Sequence, residues 1–121
     1  MKGHDTMTAH SDCVFCAIVA GTAPATIVQQ WPDAIAILPR GGGATTGHVL
    51  VIPRVHVNDI GEDPIVSAAI VARASELIAQ LPNANLITSK GSAATQTVFH
   101  LHVHVVPRRA GDDLSLPWTH Q

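Results

Sequence analysis

The stretch "FHLHVHVVP", residues 99–107, restricts the possible folds more than any other part of the chain. It places His100, His102 and His104 at every second position, with Leu101 and Val103 between them. Side chains in a strand alternate between faces, so the spacing predicts a strand. One face carries Phe99, Leu101, Val103 and Val105, and the other carries the three histidines. Val98 shares parity with the histidines, so the clean split begins at 99. Neighbouring histidines on such a strand stand roughly 6.5–7 Å apart. A polar solvent face of a half-buried strand is the plain alternative, but three histidines in register are an unusual way to build one. Imidazole can attack phosphorus or acyl carbon, exchange protons near neutral pH, or bind zinc. The row alone does not choose among these.

The remaining elements form a run of strands, one helix, then more strands. "ATIVQQW" and "AIAIL" read as short strands around a turn at Pro32–Asp33, and "HVLVIP" as a third strand closed by Pro53. "PRGGGATTG" reads as a flexible loop. The clear helix lies in "GEDPIVSAAIVARASELIAQL", with Asp63 as N-cap, Pro64 in the first turn and Pro82–Asn83 as the end. Val66, Ile70, Leu77 and Leu81 make one apolar stripe, and Ile65, Ala68, Ala69 and Ala72 another, which suits a sheet beneath and a partner beside. "NLIT" and "VFHLHVHVV" are the last strands. A short helix over "CVFCAIVA" takes Ser11 or Asp12 as its cap and Gly21 as its stop. This order predicts an α+β fold, an antiparallel sheet of about five strands carrying one short and one long helix. Residues 1–10 read as a flexible segment, 11–107 as the domain and 108–121 as a weakly structured tail.

A chain of 121 residues suits one domain with a real core. Only 13% of residues are charged, about half the usual share, which hints at surface buried against another subunit. The net charge of −2, with no long basic run, argues against a broad nucleic-acid surface, although Arg108 and Arg109 form a local basic pair. No apolar run approaches the roughly 20 residues that span a bilayer, and "MKGHDTMTAH" has no apolar signal core, so the expectation is cytosolic. The two cysteines, in "CVFC", read as a metal knuckle, as plain helix-face packing or as a redox pair. Upstream of the histidines, "KGSAATQTVFH" supplies hydroxyls and an amide that can present donors to phosphate oxygens.

Taken together, "HLHVHVV", "CVFCAIVAGTAPATIV" and "GHVLVIPRVH" resemble, in order, segments of the histidine-triad (HIT) family, in particular its Hint-like bacterial branch. The resemblance covers about residues 12–107. It implies that the triad His100, His102 and His104 serves catalysis, with His102 as nucleophile on the α-phosphate of a nucleotide. The product is a nucleotidyl-histidine that water releases. By the same resemblance His104 contacts the phosphate, Gln96 lies near the bridging or leaving atom, and the Thr97 hydroxyl touches phosphate or leaving group. Cys13, Cys16, His48 and His100 match the four positions that hold a structural zinc in many bacterial members. His56 is read as surface, and His4, His10 and His120 as tail residues. The family's homodimers pack helix to helix and sheet edge to sheet edge, with a tail that often reaches the partner's site, where Trp118 is a candidate.

Three positions depart from the pattern. Arg40 stands where the family often has an acidic residue contacting ribose hydroxyls. Ser89 replaces a common Asn, and Thr95 a common Gly, among the substrate-binding positions. The activity implied is a hydrolase or transferase for phosphoramidates, adenylates or dinucleoside polyphosphates. The alternative is a non-catalytic, zinc-stabilised nucleotide-binding module.

Overall fold

Five strands form one antiparallel sheet, β1 (Ile27–Gln30), β2 (Ala34–Ile37), β3 (Val49–Pro53), β4 (Ala84–Ile87) and β5 (Val103–Pro107), in the order β1-β2-β3-β5-β4. Helix α1 (Val14–Ala20) lies on one face and α2 (Pro64–Ile78) on the other. The structure is a computed structural model that describes residues 12–119. The expected Ser11 cap, the flexible segment 1–10, and His4, His10 and His120 lie outside the described residues.

Alternation in the central strands builds two cores. Ala34, Ala36, Val51, Val103 and Val105 meet Ile70 and Ala74 of α2, together with Trp31 and Leu101. Ile35, Ile37, Leu50 and Ile52 meet Phe15 and Ile18 of α1. β2 is buried throughout, which fits its unbroken apolar sequence "AIAI". Its alanines face the α2 side of the sheet. The register Leu50↔His104 and Val51↔Val103 puts His104 on the α1 face and Val103 on the α2 face.

The long helix begins as expected: the Asp63 carboxylate accepts from the N–H groups of Ile65 and Val66, and Pro64 stands at the first position. It ends at Ile78, earlier than Pro82–Asn83, and tight turns donating from Gln80 and Leu81 carry the chain out. Its first stripe is the inner one, with Ile70 fully buried and Val66, Leu77 and Leu81 packed against the core. On its outer side Ile65 is 82% exposed.

For α1 the cap is Cys13, whose sulfur accepts from the Cys16 N–H at 3.4 Å, and not Asp12. Gly21 ends it in the left-handed region at φ 81°, where a side chain would be strained. Loop 38–48 contains a 3-10 turn (Arg40–Gly42), and the Thr45 hydroxyl donates to the Pro107 carbonyl at 2.7 Å.

The last strand is also shorter than expected. Residues 98–102 leave the ladder, because their backbone groups find other partners. The Leu101 N–H donates to the Val57 carbonyl at 2.8 Å, the Thr88 hydroxyl donates to the His102 carbonyl at 2.7 Å, and the His100 carbonyl takes the His102 ring. Phe99 consequently faces solvent, 47% exposed, while Leu101, Val103 and Val105 keep the expected inner face.

Candidate functional site

The histidines divide into two groups at opposite ends of β3. The antiparallel register runs Val49↔Val105 and Val51↔Val103, so the chain before β5 reaches the end of β3 at Pro53. His100 therefore lies beside Pro53 and the loop that follows it, and its Nε2 is 2.9 Å from the Pro53 carbonyl. His48, just before β3, sits at the other end, beside His104.

At the first end Cys13, Cys16, His56 and His100 gather, their ligand atoms all within 4.8 Å of one another. Cys13 Sγ and Cys16 Sγ are each 3.5 Å from His100 Nδ1, and Cys16 Sγ is 3.2 Å from His56 Nδ1. Tetrahedral zinc, with Zn–S about 2.3 Å and Zn–N about 2.0–2.1 Å, needs ligand–ligand edges of about 3.3–3.8 Å. The ring orientations fit as well. The Pro53 carbonyl can only accept, so the proton of His100 sits on Nε2 and Nδ1 turns its lone pair to the sulfurs. Asn58 Oδ1, 3.1 Å from His56 Nε2, orients the second imidazole in the same way. Burial, reinforced by the neighbouring Cys13, pushes the Cys16 thiol up to about 12, so a stable Cys16 thiolate calls for a cation. Structural zinc is the cofactor this donor set fits. It would tie α1, the loop after β3 and the segment before β5 together.

Two ligand assignments change. His48 does not join this cluster, because the sheet register places it at the far end of β3. His56, read as surface, takes its place. The motif "CVFC" is used in full: both cysteines face the cluster, Val14 lines the neighbouring cleft, and Phe15 packs edge-on against His100 and His102, with ring centroids 5.8 and 5.2 Å away.

At the second end a cleft of about 1110 Å³ opens on the α1 face, lined by His48, His102, His104, Thr97, Val98 and apolar residues of α1, β2 and β3. A chain of hydrogen bonds fixes each ring. His102 Nδ1 lies 2.8 Å from the His100 carbonyl, which can only accept, so Nδ1 carries a proton and the neutral ring has its lone pair on Nε2. His48 Nδ1 accepts from the Ala44 N–H at 2.8 Å, so its proton is on Nε2, which donates to His104 Nδ1 at 2.9 Å. His104 is thereby left with an N–H on Nε2. Gly43 makes the first of these links possible: at φ 77° a Cβ there would stand 2.6 Å from His48 Nδ1. Burial, with His102 and His48 alongside, lowers the His104 pKa to about 4, and burial lowers that of His48. At neutral pH His104 is therefore an uncharged hydrogen-bond donor.

The other expected residues fall in different places. His100 is fully buried and reaches the cleft only through its carbonyl. Thr97 is exposed on the cleft wall. Gln96 does not line the cleft; it is buried, accepts from the Gly91 N–H, and donates to the carbonyls of Asn58 and Val98. With both its N–H groups committed, it braces the loop that carries His56 and Asn58. Ser89 follows β4 outside the cleft, and Thr95 is exposed at φ 73°, a left-handed conformation unusual for a β-branched residue. Arg40 lines the cleft, and Trp118 is 63% exposed.

The described residues contain no helix long and apolar enough to cross a membrane. The HIT domain model matches residues 20–111. An uncharacterised HIT-like protein of Mycobacterium tuberculosis is 40% identical over 111 residues, covering 86% of this chain and 76% of the relative. Adenylylsulfatase HINT3 of Arabidopsis thaliana is 31% identical over 120 residues, covering 91% of this chain and 59% of that protein. Among solved structures, a zinc-bound histidine triad family protein from Mycobacterium smegmatis superposes with a TM-score of 0.79 at 40% identity, covering 86% of this chain and 80% of that one. A histidine triad that runs from the irregular 98–102 segment into β5, a Cys/His cluster behind it and these relatives lead to one conclusion: the chain belongs to the HIT family, whose members bind nucleotides and are usually nucleotide hydrolases or transferases.

Proposed function

We propose that the protein cleaves nucleoside 5′-phosphoramidates, adenylates or dinucleoside polyphosphates at the α-phosphorus through a nucleotidyl-His102 intermediate. The observation that carries this reading is the His100 carbonyl on His102 Nδ1, 2.8 Å away, which places the Nδ1 proton away from the cleft, so that in the neutral ring the lone pair is on Nε2. A neutral imidazole held this way is ready to attack without first losing a proton. As the Nε2–P bond forms and the bond to the leaving group breaks, the ring becomes cationic, and its Nδ1–H···O=C bond strengthens. His104 Nε2–H, held by His48, donates to a non-bridging phosphate oxygen, and the Thr97 hydroxyl supplies a second donor. Water then breaks the P–N bond and releases the nucleoside monophosphate. Gln96 acts as a positioning residue in this scheme, holding the loop on which His56 and Asn58 stand.

Residues 11–107 form the working domain in this reading, and the exposed Ile65 of α2 supports a homodimer that packs this helix against its copy. Sedimentation should then give twice the chain mass. The direct test of function is turnover of adenosine 5′-phosphoramidate. Wild-type protein should release AMP, and His102→Ala should not while keeping its melting temperature. Equal turnover by both would reject the nucleophile. A non-catalytic nucleotide-binding module predicts no AMP from either.

A further inference from the structure

Arg40 gives the cleft a second place for negative charge, apart from the histidines. It opens the turn that follows β2, lines the cleft, and is exposed, with no hydrogen bond or ion pair to any of the described residues. None of the residues lining the cleft is Asp or Glu. The loop around Arg40 is held on both sides: the Leu38 N–H donates to Thr26 at 3.0 Å, the Gly42 N–H to Pro39 at 3.2 Å, and the Ala44 N–H to the His48 ring at 2.8 Å. Its place relative to the histidines follows from the register. Ile37 pairs with Leu50 and Leu50 with His104, so the end of β2 is two strands, about 10 Å, from His104. Arg40 leaves the chain three residues beyond Ile37.

A nucleotide whose α-phosphorus sits against His102 would run its ribose along the apolar wall between these two points. A ribose diol offers hydroxyl donors, and the side chain that suits it is a carboxylate, which accepts. Guanidinium has only donors, arranged to grip a phosphate. We propose that Arg40 receives a phosphate ester on the ribose 2′- or 3′-oxygen. The preferred ligands of the cleft are then nucleotides bearing a second phosphate besides the one at His102. The inference rests on the nucleotide-binding reading above but not on turnover.

Calorimetric titration of zinc-loaded protein with adenosine 2′,5′-bisphosphate, adenosine 3′,5′-bisphosphate, ADP and AMP tests it. ADP controls for charge, since it carries the second phosphate on the 5′ chain. One bisphosphate should bind at least about tenfold tighter than ADP, and the better isomer identifies the oxygen. In Arg40→Gln the ratio of bisphosphate to ADP affinity should fall to near one, with melting temperature and zinc content checking the fold. Bisphosphates binding no tighter than ADP would overturn the proposal, as would a preference that survives in Arg40→Gln. Failure of the hydrolase reading is separately visible: a protein that prefers a bisphosphate through Arg40 yet releases no AMP from the phosphoramidate keeps this inference and loses that one. Turnover without the preference does the reverse.

Discussion

The two ends of β3 use the same side chain for opposite purposes. At the Pro53 end His56 and His100 turn a lone pair inward toward two cysteine sulfurs, and their outer nitrogens are held by Asn58 and a carbonyl. On the cleft side His48 orients the His104 ring, the His100 carbonyl orients the His102 ring, and both rings line an open cleft. A closed donor set favours rigidity, and an open one favours chemistry. What decides the role of each histidine is the group bonded to its other nitrogen. The two ends meet at residue 100, whose ring belongs to the cysteines and whose carbonyl belongs to His102.

The largest effect that would break or confirm this contrast is in His102→Ala. It should reduce nucleotide turnover on the order of 10⁴-fold while leaving about one zinc per chain, measured by kinetics alongside metal analysis. Loss of zinc in that variant would mean the ends are not separate. Next, His56→Ala should lose most bound zinc and several kcal/mol of stability, whereas His48→Ala should retain the metal. Metal analysis that reversed these two would restore His48 as the ligand. His48→Ala should also lower turnover by about 10–100-fold, because His104 loses the donor that orients it.

Acid provides a smaller probe. The His104 pKa is depressed from 6.5 to about 4, so the unfolded chain takes up a proton at a higher pH than the native one. Its stabilising contribution is complete above pH 6.5 and is lost as pH falls from 6.5 toward 4. Denaturant titrations across that window should show stability declining, and His104→Asn should flatten the decline. The smallest effect is at Thr95, whose left-handed backbone favours glycine. Thr95→Gly should gain about 0.5–1 kcal/mol in chemical unfolding, the relief of strain exceeding the added freedom of the unfolded chain.

Local patterns in the sequence carried much of this. The period-two histidines placed His102 and His104 on one face, Asp63–Pro64 marked the start of α2, and the unbroken "AIAI" matches a strand buried on both sides. What failed depended on long-range register. Cys16 and His56 are 40 residues apart and nothing local joins them; only the pairing of β3 with β5 shows that the chain after Pro53, rather than the one before Val49, returns to His100. The family resemblance puts Gln96 near the leaving atom, but its buried amide is consumed by three backbone partners contributed by two loops. The irregular 98–102 segment was hidden for a similar reason, since its hydrogen bonds go to Val57, Thr88 and its own histidine ring.

The most direct test of the central claim is a rapid mixing experiment with adenosine 5′-phosphoramidate, quenched in alkaline denaturant, which preserves a P–N bond, and read by peptide mass spectrometry. The account predicts a transient adenylyl adduct on His102 that forms and decays at rates compatible with turnover. Turnover with no adduct on that residue, or with the adduct on His104, would contradict it.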